Sequence, residues 1–510
     1  MNETENIREP ENRLKSADSV FAWCSIPVGF VLVRAATTYD FSLAAFLSIL
    51  LLFVFGSVYL RVSGIRVRTE SRIAAAACVL LSTTFVTWGV HGVQVLIYPA
   101  LILVFCYWMY DAAGLAGRGL PGKNFYLHLP DFVLGHPLRA LGSIFPALRF
   151  RGEQDGKKTV GRTVLYLLLG LLLAVIPTGL IILLLSYDEN FTELCRELLG
   201  KLPEEILEIF LQLILGFVLA IPVFGVLFSA RERSEKTGGS EEKVHVPDTR
   251  IAPRALLCAA VTPILLVYVL FFISQLGYYL SAFTGTLPKG LTYAGYAREG
   301  FFELCTVCAI NAAMLALFNL LMKEKSGKKS LLTRLYSTVI IVFTLILAVT
   351  ALSKLSLYIG SYGLTRKRVC AAWLTLLICA QLLLVLVHQW IPRFPLVQAT
   401  VICGFVFLCL LLIPNLDGWI ADTNVSLYLS GTISDMDVEA MYELELTAVP
   451  AVARLRDALQ SLPQRTEAEQ AILRSAIRFL TDYRLTLKPN DWSIFRFTIP
   501  ELLARRILIP

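Results

Sequence analysis

The residues best placed for chemistry are Tyr296-Ala297-Arg298-Glu299-Gly300-Phe301-Phe302-Glu303-Leu304, which set one base and two acids at the start of a long apolar run. Glu299 and Glu303 are four apart and Thr306 is three further on, so all three fall on one helical face. Ionisable groups at membrane depth serve as ion or proton sites and as charged gates. At the water boundary the same residues read as an interfacial ion pair that locks the helix to its neighbour. Asn311 lies about 80° round from Glu303, so no single polar stripe runs the depth of this helix. A second set is Arg366, Lys367 and Arg368, three adjacent cations after Tyr362-Gly363-Leu364-Thr365. Adjacent cations attract phosphate, which gives an anionic-ligand or headgroup reading beside that of a topology signal on the cytoplasmic face.

Other chemistry is sparse. Cys305-Thr306-Val307-Cys308 is a lone C-x-x-C without the second ligand pair or thioredoxin-like setting that a metal or redox role needs, and reads as small residues inside a span. His91, His128, His136, His245 and His388 are scattered without metal-ligand spacing. No H-E-x-x-H, P-loop or G-x-S-x-G is present. An intramembrane enzyme would use Glu299 or Glu303 as acid or base, yet no nucleophile or metal pair accompanies them, so a non-enzymatic role with no catalytic, cofactor or metal residues is the expectation. Gln212, Gln275, Gln381 and Asn311 read as helix-to-helix hydrogen-bonding groups. Pro177, Pro222 and Pro263 fall near the middle of three spans, where a proline either kinks a helix or frees carbonyls to line a cavity.

The elements that must position these residues follow from composition. Of 510 residues 56% are hydrophobic and 17% charged, against roughly 45 to 50% and about 25% in soluble proteins, and the mean hydropathy is +0.66. A soluble multidomain enzyme, a disordered chain and a collagen-like fibre are excluded by that balance. The formal net charge of +7 sits in short segments between apolar runs, the pattern of loop charges that orient a membrane protein, with nucleic acid not implied. Eleven cysteines, an odd number mostly in or beside apolar stretches, argue against a disulfide framework. Residues 1–19 lack the basic start of a secretory signal and read as a retained cytoplasmic segment.

Runs of about 17 to 25 apolar residues can span a bilayer as helices. They lie near Val20 to Val33, Phe41 to Leu60, Ile73 to Val90, Val93 to Tyr110, Thr163 to Ser186, Ile206 to Ser229, Ala255 to Tyr278, Phe301 to Met322, Leu332 to Tyr358, Val369 to Val387 and Phe394 to Ile413. The first, short and carrying Pro27 and Gly29, reads as a half-span or as one arm of a tight hairpin with the second. The expected fold is all-α: a polytopic transmembrane bundle of about 11 spans over 20–413, with an amphipathic interfacial helix at about 130–151 and a small soluble helical region at 414–510. With the N-terminus inside, the inner connections hold 26 Lys and Arg and the outer ones nine with Lys354, near the outer end of its span, included, as retention of basic residues requires. Lys354 and Arg366 to Arg368 fall outside in this arrangement, so the side of the C-terminal region stays open. That region has 13 acidic and 10 basic residues. Thr466 to Glu469 forms a capping box, Ile472, Ala476, Phe479, Leu480 and Tyr483 make a helical stripe, and a preceding helix carries Val452, Leu455, Leu459 and Leu462.

Tyr296 to Leu304 resembles the signature of an uncharacterised family of bacterial polytopic membrane proteins of the domain-of-unknown-function series (families 4153 and 4173). Tyr362-Gly363-Leu364-Thr365 with Arg368 is similar to the family's Tyr-Gly-Leu-Thr element, Ile420-Ala421 with Asn424 to the stretch after its last span, and Ala448-Val449-Pro450 to its later Ala-Val-Pro element. The resemblance runs over about residues 255 to 500 and departs at Met441-Tyr442 and Thr447, where the family carries an aromatic-Leu pair and an aspartate. It implies a bacterial cytoplasmic membrane and brings no activity with it.

Two functional expectations remain. One is a transporter or permease-like conduit with a charged gate at Arg298, Glu299 and Glu303, its solute unspecified. The other is a membrane sensor or assembly scaffold that binds a protein partner through residues 414–510. Both place the chain in contact with the lipid bilayer.

Overall fold

The computed structural model describes residues 14–88, 91–119, 121–149, 204–242, 252–284, 293–323, 330–487 and 493–509. Among them eight helices are long and apolar enough to cross a membrane, nine if one bent pair counts as a single span. The chain is a multi-pass helical membrane protein. It divides into two units, residues 1–85, 91–243 and 493–496 in the first and 86–90, 244–492 and 497–510 in the second.

The first unit contains α1 (Ser16–Thr37), α2 (Leu43–Val62), α3 (Thr69–Leu81), α4 (His91–Ala112) and α5 (Glu204–Thr237). The half-span expected over Val20 to Val33 is a full-length helix of 22 residues. Its Gly29 does not break it but meets α5: a Cβ on Gly29 would stand 2.1 Å from Gly216 O, and one on Gly216 would stand 2.6 Å from Phe30 Cα. Between apolar helices in lipid, such small residues supply the close packing that drives association. Pro222 and Pro263 lie inside continuous helices, while Thr163 to Ser186, with Pro177, lies outside the described residues.

The span expected over Ile73 to Val90 is instead a 13-residue helix that stops at Leu81. Ser82 Oγ donates to Val79 O and Thr83 Oγ1 to Leu80 O, each at 2.6 Å, and such local bonds compete with the helical ladder. With this span too short and Thr163 to Ser186 outside the described residues, eight or nine of the expected spans are long enough to cross among the described residues. Residues 125–149 form a series of short helical pieces rather than one helix. Phe132, His136, Pro137, Ile144, Ala147 and Leu148 are buried, while Leu134 and Leu138 are exposed.

The second unit contains α6 (Arg254–Thr284), α7 (Tyr293–Leu321), α8 (Leu331–Tyr362), α9 (Arg366–Trp390), α10 (Leu396–Leu412), α11 (Leu416–Leu429), α12 (Val449–Ser461), α13 (Glu467–Thr486) and α14 (Ile499–Leu508). Two-residue strands β1 (Ala252–Pro253) and β2 (Met322–Lys323) pair in parallel. Phe318, Ile340, Ile341 and Leu382 form one core between α7, α8 and α9. Asn311 ties three helices, accepting from Tyr268 OH at 2.5 Å and donating to Thr344 Oγ1 at 3.0 Å. After α10 the chain bends by 58° into α11. Thr466 and Glu469 form a reciprocal capping box on α13. Ile472, Ala476, Phe479 and Leu480 are buried on α13, and Val452, Leu455 and Leu459 on α12, whereas Leu462 is exposed.

Candidate functional site

The strongest concentration of buried charge lies in the first unit, where α1 begins and α2, α4 and α5 end. Asp18 occupies the third position of α1 and accepts from the Lys15 backbone N–H at 2.7 Å, which caps the helix. The same carboxylate serves two further donors: Tyr59 OH from α2 at 2.8 Å and the Arg231 guanidinium from α5 at 2.9 Å. Asp18 is 0% exposed and Arg231 1%, so this is a fully desolvated pair. Such a pair persists only with good geometry and added hydrogen bonds, because desolving each ion costs several kcal/mol. Arg231 is helical because α5 continues past its apolar run to Thr237, supported by i,i+4 pairs Arg231–Glu235 at 3.3 Å and Lys236–Glu232 at 2.8 Å.

Glu235 leads outward from the buried pair. It takes Lys15 Nζ at 2.6 Å, and both side chains line a cleft of about 450 Å³ with Ser63, Arg66, Arg68, Ser234 and glycines 64, 114, 238 and 239. The glycines have a local reason. Three helices end here with left-handed glycines and a bond from the next turn back into the helix: Ile65 N to Leu60 O, Leu115 N to Tyr110 O and Gly239 N to Ser234 O. A second buried acid, Asp111, accepts from Ser71 Oγ at 2.6 Å and joins α4 to α3.

Beside this cleft, Glu242 takes a hydrogen bond from His136 Nε2 at 3.2 Å and an ion pair from Arg233. The His136 bond, with the charges around it, holds the Glu242 carboxyl below its usual range. His128 is stacked on Phe132 at 4.7 Å, and burial pushes its imidazole below the ordinary value, outweighing nearby Glu241 and Glu242.

The residues singled out from sequence are dispersed. Arg298, Glu299 and Glu303 lie on α7, and their side chains are outside the described residues; Thr306, on the same helix, is exposed. Cys308 is buried and Cys305 half-buried, both as free thiols, and among the described residues no group of His, Cys, Asp and Glu is arranged to hold a metal. In the second loop, Arg366 donates to Asp417 Oδ1 at 2.6 Å and to Glu443 O. Arg368 donates to the Tyr362 carbonyl at 2.9 Å and to Gly363 O, and lies 4.1 Å over the Tyr358 ring. Lys367 is exposed. Leu364 N donates to Asn424 Oδ1 at 2.7 Å and Asn424 Nδ2 to Leu364 O at 2.9 Å, so the Tyr-Gly-Leu-Thr loop and the middle of α11 are one clamp.

Sequence reasoning missed Asp18, Tyr59 and Arg231 because it counted the first and last as loop charges. The available signal was a carboxylate three residues after Lys15 at the lip of one apolar run and an arginine at the lip of another. The second unit has its own cavity of about 490 Å³, largely apolar and flanked by Asn319, Gln381, His388 and Gln389. Gln389 donates to Asn319 Oδ1 and Gln381 to Thr400 O, each at 3.0 Å, so these amides are engaged helix to helix.

Residues 73–455 match the model of a family described as a domain of unknown function, DUF4153. No curated protein and no solved structure matches the chain. The matched stretch is well over half of the 510 residues and includes the Tyr296 to Leu304 segment, the Tyr-Gly-Leu-Thr loop and its Asn424 clamp; the chain belongs to the DUF4153 family.

Proposed function

We propose that the protein is a permease-like conduit of a bacterial cytoplasmic membrane, with its N-terminus inside and its polar path in the first unit beside the Asp18–Arg231 pair. The observation that carries this reading is the pair itself: two fully desolvated opposite charges where apolar helices begin and end, and buried ionisable pairs in membrane proteins mark ion and substrate pathways. Glu235 bridges the pair and the cleft, so a solute that displaces it from Lys15 and Arg231 gains access to the buried charges. Arg298, Glu299 and Glu303 on α7, in the second unit, act as a charged gate.

The test is charge movement in proteoliposomes under imposed gradients of protons and small anions. The wild type passes current above empty vesicles. The double variant Asp18→Asn/Arg231→Gln, which leaves no lone buried charge, loses it while keeping its unfolding midpoint within a few degrees. Equal current in the double variant, or none in the wild type, refutes the conduit.

A second reading, a sensor or scaffold acting through residues 414–510, has support in the exposed Ile477 and Leu485 of α13. It expects a partner that crosslinks to the intact chain and is lost in Ile477→Asp/Leu485→Asp.

A further inference from the structure

The cleft at the helix ends of the first unit has a composition that the conduit reading does not explain. Its lining includes three cations, Lys15, Arg66 and Arg68, and among the described residues one carboxylate, Glu235. Glu235 is engaged by Lys15 and Arg231, and Arg68 donates to the Gly117 carbonyl. Arg66 is exposed. Ser63 Oγ is buried and has no hydrogen-bond partner, so a hydroxyl donor stands in the wall.

Two effects compete at this place. Three helix C-termini converge here, and each contributes roughly half a negative charge that draws cations and repels anions. Against them stand the lining cations, and Arg61 in the last turn of α2 and Arg72 in α3 are exposed on either side of them in the chain, with Glu70 exposed in the first turn of α3. With Glu70 counted beside Glu235, the five cations still exceed the two carboxylates and the roughly 1.5 negative charges of the three helix ends, and the balance stays positive. A volume of about 450 Å³ is far more than a bare ion fills, since a water takes about 30 Å³. A basic pocket between transmembrane helices with a free hydroxyl is the recognition chemistry of a phosphate ester.

We infer that this cleft binds a phosphate monoester or diester, whether a soluble phosphate ester or the headgroup of an anionic lipid, through Arg66, Arg68, Lys15 and Ser63. The inference deepens the conduit reading and rests on its assignment of this end of the first unit. Binding draws Lys15 from Glu235, so Glu235 is the built-in competitor for the ligand.

The test uses the full chain in phosphatidylcholine nanodiscs at fixed ionic strength, reading the thermal-unfolding midpoint with two probes. One is glycerol phosphate in solution; the other is phosphatidylglycerol at increasing fraction in the bilayer. A rise with glycerol phosphate, with apparent affinity weakened at least tenfold by Arg66→Gln and tightened by Glu235→Gln, assigns a soluble ester. A rise with phosphatidylglycerol alone, changed in the same directions by the same variants, assigns a lipid headgroup. Either result supports the site. No rise with either probe, or a rise that Arg66→Gln leaves unchanged, overturns it. Arg66 is exposed and unfolding of that variant is not expected; Ser63→Ala gives an independent second loss. Binding without current removes the conduit and keeps the cleft, and current without binding does the reverse.

Discussion

Asp18 is at once a helix cap and a counter-ion, and the consequences of removing it differ for the two roles. Asp18→Asn keeps only one of the two oxygens that accept from the Lys15 N–H and Tyr59 OH, and leaves Arg231, 1% exposed, with Glu235 alone in place of its buried counter-ion. Breaking a buried pair from one side costs about 3–5 kcal/mol, whereas removing both ions is far milder. Thermal unfolding in detergent is therefore expected to show a large drop for Asp18→Asn and recovery of most of it in Asp18→Asn/Arg231→Gln. Asn424 offers a comparable case without charge. Its amide serves both backbone groups of Leu364, so Asn424→Ala leaves a buried N–H and C=O unmet and lowers stability by about 1–3 kcal/mol.

Acid stability is also set by single residues. His128 is held below its ordinary value of 6.5 by burial, so the fold disfavours its charged form while the unfolded chain takes the proton. Stability then falls as pH drops from about 6.5 towards the lowered value. Glu242 is held below its ordinary 4.5, so its contribution is present above that pH and lost as pH falls through the lowered value. A plot of unfolding midpoint against pH is expected to fall in two stages, with His128→Phe flattening the upper stage and Glu242→Gln the lower.

At the scale of elements, the crossing of α1 and α5 depends on two glycines with no room for a side chain. A Cβ on Gly29 would lie 2.1 Å from a backbone oxygen, and backbone cannot give way as a side chain can. Gly29→Leu and Gly216→Val are expected to abolish a monodisperse folded species in size-exclusion chromatography. Gly360, inside α8 with nothing within 4 Å of a Cβ, is the control: Gly360→Ala is expected to be neutral or stabilising by up to about 1 kcal/mol. Proline was the more visible letter in the first span, yet α1 runs on through Pro27, and the glycine two residues later decides the packing.

For the whole molecule, topology follows from where the helices begin and end. In the first unit, α2, α4 and α5 all end at the cleft where α1 begins, so the chain returns to the far end between Val62 and His91 even though α3 is only 13 residues long. A single cysteine replacing the exposed Ser461 at the end of α12, in a background lacking reactive native thiols, reads the side of the C-terminal region. With eleven crossings and an inside N-terminus an impermeant reagent labels it in intact cells; labelling only after permeabilisation would place that region and the Arg366 to Arg368 loop inside.

The sequence by itself determined class and order of elements, because both depend on local properties. Runs of apolar residues long enough to cross lipid must be helical, with every backbone group bonded within the segment, and the capping box at Thr466 and the stripes on α12 and α13 act over one to four turns. The Tyr-Gly-Leu-Thr and Asn424 motifs were legible as letters in order. Only the tertiary structure decided that they clamp one another, and that Arg366 and Arg368 are engaged by Asp417 and by Tyr358, Tyr362 and Gly363. It alone brought Asp18, Tyr59 and Arg231 together across 213 positions, turning two apparent loop charges into a buried pair. Charge carries no periodicity that announces its partner, so pairing at a distance is invisible in one sequence; it becomes fixed where helices without a hydrophobic drive between them pack on glycines and buried polar contacts.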